Sequence, residues 1–159
     1  MIKKEGLEAI EKKTSDTLQY LKDQGLTSEE IVNLVNKLLK IPISVFKNDY
    51  LSALEIIVKY LRENSQFSYK QIASLTNRNE IALAVTYRNA KKKLEARFVE
   101  ETSPYDIPVL ILQDRRLSVL ENIVSYLKDT FELTYHQIAV MLNRNDRTIW
   151  TVYQRAKKK

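Results

Sequence analysis

The sequence predicts an all-α protein: two tandem three-helix units of helix-turn-helix plan, preceded by an N-terminal helical hairpin. Three observations predict it. The segment Ile41 to Lys93 recurs at Ile107 to Lys159 without a gap, 66 residues later, with 22 of 53 aligned positions identical; such self-similarity is the mark of a duplicated structural unit. Within each copy the apolar residues recur at the three- and four-residue spacing of a helix buried along one face. Hydroxyl and amide side chains then stand where those helices must begin.

Residues 1–40 read as a partial copy. Tyr20-Leu21-Lys22-Asp23 repeats Tyr126-Leu127-Lys128-Asp129, and Leu26-Thr27-Ser28-Glu29-Glu30-Ile31 follows the pattern of Leu133-Thr134-Tyr135-His136-Gln137-Ile138 after a one-residue deletion around Gly25. Ile41-Pro42 arrives before a third helix has room, so a hairpin of two helices is expected. Its Glu29 and Glu30 would repel a phosphate backbone, which favours packing or dimerisation.

Each full copy, at 41–93 and 107–159, opens with an apolar, β-branched run: Ile41-Pro42-Ile43-Ser44-Val45-Phe46 and Ile107-Pro108-Val109-Leu110-Ile111-Leu112. The proline pushes the residue before it toward extended geometry. A short strand, an extended strap covering a helix face and a helical turn after the proline all remain open. Leu51, Leu54, Ile57, Val58 and Leu61, matched by Leu117, Leu120, Ile123, Val124 and Leu127, then mark the buried face of a first helix that Ser52 and Ser118 help to start. Ser68 and Thr134 are expected N-caps of a short second helix, with Gln71 and Gln137 three residues on as capping-box partners. Asn79 and Asn145 close a tight Asn-Arg-Asn turn and cap a third helix, whose buried stripe is Leu83, Tyr87 and Ala90, or Ile149, Tyr153 and Ala156. Small Ala73 and Ala139 sit where the second and third helices must approach. Residues 94–106 are acidic, contain Ser103-Pro104 and link the copies, beginning as a continuation of the first copy's last helix.

Composition narrows the function. The chain has 159 residues, no Cys, one His and two Gly. That excludes disulfides and thiolate metal sites, makes a zinc site improbable and leaves no glycine-rich phosphate loop. No pair of carboxylates recurs at a spacing suited to acid–base work, so neither an enzyme nor a cofactor is expected. With no apolar run of about 18 residues and no signal-peptide stretch after Met1, a cytoplasmic, nucleoid-associated protein is expected, with no membrane and no small-molecule substrate as partner.

The net charge of +6 is unevenly distributed. Residues 1–40 carry seven basic and seven acidic groups, 41–93 carry nine and four, 94–106 one and four, and 107–159 nine and five. The excess belongs to the repeats and gathers late in each, where terminal lysines either complement a helix dipole or meet a polyanion.

Leu133-Thr134-Tyr135-His136-Gln137-Ile138-Ala139 together with Thr148-Ile149-Trp150-Thr151-Val152-Tyr153-Gln154-Arg155-Ala156-Lys157-Lys158 resembles the helix-turn-helix of region 4 in the sigma-70 family. The resemblance spans about 30 residues in each copy; the first copy departs from it, with Ala82-Leu83 for Thr-Ile and Asn89-Ala90 for Arg-Ala. Nothing resembles the other sigma regions. The likeness implies a module that reads double-stranded DNA, not a promoter-specificity factor.

The residues fit that implication. In this plan the start of the last helix enters the major groove, where Arg pairs with guanine edges and Thr meets an edge or a thymine methyl. Candidate contacts in the second copy are Arg144, Asn145, Arg147, Thr148, Thr151, Gln154, Arg155, Lys157 and Lys158, with Tyr135 and His136 toward phosphates. His136 is equally well read as an exposed residue without a role. In the first copy they are Lys70, Arg78, Arg88, Lys91 and Lys92. The start of that copy's third helix is apolar instead, and Ile81, Ala84 and Val85, with Trp150 of the second copy, are candidates for a protein interface, including a homodimer. A transcriptional regulator or chromatin-type protein is the expectation. A protein–protein scaffold without DNA binding is the rival, and RNA binding is disfavoured by the lack of aromatic platforms on strands.

Overall fold

The structure, a computed structural model, describes residues 4–159, with the side chains of 4–7, 10, 36 and 37 outside the description. The first three positions of the expected N-terminal hairpin lie outside the described residues. The chain divides into two compact units, residues 1–38 and 39–159, and the described residues are mostly helical.

In the smaller unit, α1 (Lys4–Asp23) and α2 (Ser28–Leu38) form a hairpin. Gly25 turns the chain at φ +86°, a left-handed conformation that costs a side-chain-bearing residue more. Thr27 starts α2: its hydroxyl accepts from the Glu30 amide at 3.2 Å, and its own amide donates to the Glu30 carboxylate at 2.7 Å. The same carboxylate that argues against phosphate contact is thus a capping-box member. Ile31 is buried, whereas Val32, Leu34, Val35 and Leu38 are exposed.

The larger unit runs β1 (Lys40–Ile41), a 3-10 strap (Ile43–Phe46), α3 (Ala53–Glu63), α4 (Tyr69–Thr76) and α5 (Glu80–Lys93). The second copy follows as β2 (Ile107–Pro108), a 3-10 strap (Val109–Gln113), α6 (Val119–Phe131), α7 (Tyr135–Leu142) and α8 (Asp146–Lys157). Every start signal acts locally. Ser52, Ser68, Ser118 and Thr134 form capping boxes with Glu55, Gln71, Glu121 and Gln137, and Asn79 and Asn145 accept from the amides of Ala82 and Thr148. Asn77 and Asn143 hold the left-handed conformation that ends α4 and α7, at φ 52° and 49°; asparagine tolerates this better than most residues. The linker departs from expectation. Leu94 takes extended geometry, φ −142° and ψ 105°, so α5 stops at Lys93, and the Asn64 side-chain amide donates to the Phe98 carbonyl at 3.0 Å, bringing the linker beside the end of α3.

The opening runs are where the copies meet. β1 and β2 pair antiparallel with Ile41 opposite Ile107, and those two residues are equivalents in the 66-residue alignment. A residue facing its own counterpart across an antiparallel pair is the arrangement of a local twofold axis. The contacts beyond it obey the same symmetry. The first strap packs on α7 and the second on α4, while each also touches the first helix of its own copy. Two of the three open readings of these runs are therefore realised in sequence: a two-residue strand, then a helical turn after the proline. Arg115 and Asp49, another equivalent pair, reach across in the same reciprocal way. The Arg115 guanidinium donates to the Asn77 carbonyl at 2.9 Å, and the Asn143 amide donates to the Asp49 carboxylate. Ile41, Ile107, Val45, Phe46, Val109 and Leu112 join the helix faces in one continuous core.

Because Ile107 is fully buried at the axis, Ile107→Ala is expected to cost about 2–5 kcal/mol although it lies in no helix. Urea unfolding followed by circular dichroism measures this; a loss no larger than that of an exposed apolar residue would show that the exchanged straps contribute little.

Candidate nucleic-acid interface

The third helix of each copy is fixed from below before it presents anything outward. Leu83 and Ala90 in α5, and Ile149 and Val152 in α8, are buried. Ion pairs then tie each third helix to the first helix of its copy. Lys93 meets Glu55 at 2.8 Å and Lys159 meets Glu121 at 2.7 Å. Tyr87 donates to Glu63 at 3.0 Å and Tyr153 to Asp129 at 2.8 Å, with Lys91 and Lys157 on the same carboxylates at 3.2 and 2.8 Å. Glu63 also pairs with Lys59, a fully buried lysine for which the second copy has Ser125.

These partners set the protonation of the carboxylates. Burial works against ionisation of Glu63, but hydrogen bonds from Lys59, Lys91 and Tyr87 outweigh it and hold its carboxyl below the ordinary value of 4.5. Glu55, Glu121 and Asp129 are lowered the same way, with burial opposed by Lys93, Lys159 and Lys157 respectively. Tyr87 moves up, through burial and its bond to Glu63.

The outward row of α8 is a shallow groove of about 330 Å³ walled by Asn145, Arg147, Thr148, Thr151, Val152 and Arg155. Arg147 and Arg155 are exposed, and among the described residues neither has an acidic partner within ion-pair distance. Thr151 donates back to the Arg147 carbonyl at 2.8 Å, which fixes its hydroxyl while leaving it able to accept. The Asn145 side-chain oxygen is occupied by its cap, so only its amide nitrogen faces outward chemistry. Gln154 is half-exposed beside this row.

Other expected residues are placed differently from one another. Lys158 and Lys92 are exposed, Lys157 is engaged with Asp129, and Lys91 shares the Glu63 carboxylate with the buried Lys59, so its charge is only partly compensated. His136 Nδ1 lies 3.1 Å from Asp146, the first residue of α8, and both are exposed. Tyr135 meets Tyr153 with tilted rings at 5.9 Å between centroids, with Lys128 over its ring, and is only half-exposed. Arg144 and Arg78 are half-buried in the turns, and Lys70 is exposed at the start of α4. On α5 the groove is formed by Tyr87, Arg88, Lys91, Lys92 and Glu95, farther along the helix than on α8, while Ile81 at the helix start is 76% exposed and Val85 42%. Ala84 is half-buried and Trp150, its equivalent, is 51% exposed. The sequence reading missed Arg115 and Arg116, which lie in neither a helix nor the lysine runs; their one signal was the replacement of Asp49-Tyr50 by Arg-Arg in the alignment.

Carboxylates with lowered folded values stabilise the fold above their unfolded values, and that stability is lost as pH falls through the folded ones. Stability is therefore expected to be level near neutrality and to fall below the ordinary Glu value of 4.5. Glu63→Gln should make this acid limb shallower while costing about 3–5 kcal/mol at neutral pH, because Lys59 is left buried without a counter-charge. Denaturant curves across that range check both; an unchanged acid limb would remove Glu63 from the account. In comparisons with known proteins, the chain matches no protein-family model, no curated protein and no solved structure.

Proposed function

We propose that this chain binds double-stranded DNA through two helix-turn-helix modules, α3–α5 and α6–α8, as a transcriptional regulator or chromatin-type protein. The observation that carries the reading is the α8 groove: Arg147, Thr148, Thr151 and Arg155 form one outward row of hydrogen-bonding side chains on a helix anchored from behind by Ile149 and Val152. That is the chemistry of major-groove reading, in which Arg and Thr meet base edges. The local twofold relation of the copies supports it, since paired reading helices match inverted half-sites. The two halves would not read alike, because α5 opens with Ile81, Ala82, Ala84 and Val85 where α8 has Arg147, Thr148, Trp150 and Thr151. In this reading α8 supplies sequence preference and α5 contributes Arg88 and Lys92 toward the backbone.

Fluorescence anisotropy on random and genomic duplexes at several salt concentrations tests the proposal. The logarithm of affinity should fall with the logarithm of salt by about 0.9 per phosphate neutralised. Arg147→Ala and Arg155→Ala should each weaken binding by about 1–3 kcal/mol, more than Arg88→Ala does. Wild-type affinity in the Arg147/Arg155 double mutant would rule the groove out.

A second reading, a protein-interaction scaffold, is favoured by one specific observation: Ile81, Val85 and Trp150 are all substantially exposed. Trp150 is the only Trp, so its emission separates the two. A solvent-like spectrum quenched by duplex DNA is expected if α8 reads DNA. A blue shift that grows with protein concentration and ignores DNA would favour the scaffold.

A further inference from the structure

The twofold relation generates two seams where the opening of one copy crosses the turn of the other, and the seams are chemically unequal. At one, Asp49 accepts from Asn143. At the other, Arg115 stands in place of Asp49 and Arg116 in place of Tyr50. A shallow, open recess of about 400 Å³ lies there, walled by Arg78, Arg115, Arg116 and Lys159 together with Ser52 and Ser118, the N-caps of α3 and α6.

Charge compensation in this recess is incomplete. Arg116 is held by a two-pronged contact with Asp114, at 3.0 and 2.8 Å, and Lys159 by Glu121. Among the described residues Arg115 donates only to the Asn77 carbonyl, and Arg78 has its Nε buried with no hydrogen-bond partner. Burial and the nearby Arg115 charge both push Arg78 below the ordinary guanidinium value. Two like charges in a concave wall, one already partly desolvated, are unfavourable unless an anion joins them. The first turns of α3 and α6 add no free positive charge, because the carboxylates of Glu55 and Glu121 already cap them; the attraction for an anion comes from the guanidinium groups.

We propose that this seam is a seat for a phosphate group, gripped by Arg115 and Arg78 beside the two helix starts. Planar guanidinium groups donate paired hydrogen bonds to phosphate oxygens, and the recess has room for the ester that carries the phosphate. The opposite seam lacks the site because Asp49 would repel the same ligand. The seat does not depend on the α8 reading: it lies on turn residues and helix starts away from the outward row of α8, and it accepts either a free phosphate or one belonging to a nucleic-acid backbone.

The test uses the full chain, as wild type, as Arg115→Gln and as Arg97→Gln, the last a control for loss of an exposed cation outside the recess. In the first arm inorganic phosphate replaces chloride at constant ionic strength while thermal unfolding is followed. A saturable rise in Tm is expected for wild type and Arg97→Gln, with apparent phosphate affinity reduced about tenfold or more in Arg115→Gln, as loss of a charged hydrogen bond implies. In the second arm the salt dependence of duplex binding is compared. If the seat takes a backbone phosphate, Arg115→Gln should reduce the slope by about one. A response in the first arm alone identifies a free phosphate as the occupant, and a response in the second alone identifies the nucleic-acid backbone. If phosphate stabilises all three proteins equally or none, and Arg115→Gln leaves the duplex slope unchanged or duplexes do not bind at all, the proposal is overturned. Duplex binding lost in the Arg147/Arg155 double mutant but indifferent to Arg115→Gln, with no Arg115-dependent phosphate response in the first arm, would preserve the proposed function while removing the seat.

Discussion

The main-chain pairing of Ile41 with Ile107 is the constraint from which the larger unit follows. It joins equivalent residues in opposite directions, so each opening strap is delivered to the partner copy's second helix as well as to its own first helix. A repeat of 53 residues is near the lower limit at which a single core can offset the entropy of ordering the chain. Exchange of straps enlarges the core of each copy with apolar residues from the other, and Ile41, Ile107 and Val109 are fully buried as a result. The short second helices, eight residues each, depend on this most, because helices of that length are not stable without tertiary packing.

Part of the positive charge that the composition suggests for a polyanion is engaged by the protein's own carboxylates. Of the terminal lysines, Lys91, Lys93, Lys157 and Lys159 each meet a carboxylate on the first helix of their own copy. Most of those pairs have one well-shielded partner, where screening is weaker than at an open surface. The cations left outward include Arg147 and Arg155 on α8, Arg88 on α5 and Arg115 at the seam, beside Lys70, Lys92 and Lys158. Arginine keeps its charge when partly desolvated and offers a planar fork of donors, which suits those at the α8 groove and the seam to anion contacts.

Local features were legible in the sequence because they depend on a few neighbouring residues. The capping boxes of Ser68 and Thr134, the asparagine caps, and Leu83, Ala90 and Ile149 of the expected stripes follow from spacing within one turn or one face, whereas Tyr87, Tyr153 and Ala156 are only half-buried and Val152 is buried instead. The openings were not resolved by the same logic. Ile41-Pro42-Ile43 satisfies a strand, a strap and a helical turn equally well, and what selects a two-residue strand followed by a 3-10 turn is a partner 66 residues away. The linker's helical expectation failed for a related reason: Leu94 is extended and the chain beyond it is held by Asn64 through the Phe98 carbonyl, a contact that no local pattern announces. At the candidate interface, the alignment displayed the contrast between α5 and α8 directly. It could not show that Lys157 is claimed by Asp129, or that Arg115 lies beside Arg78, since both depend on how helices and straps cross.

The exchanged straps are symmetric in space but not in time. A nascent chain completes α4 at Thr76 and must add a further 37 residues before the strap ending at Gln113 exists to cover it. At about 5–20 residues per second of synthesis this is a delay of roughly 2–7 s. By contrast, α7 is born with its strap, Ile43–Phe46, long since made. The first copy is thus exposed to chaperones and to misplaced partners during a window that the second never experiences, and the second copy acts as the template that closes the first.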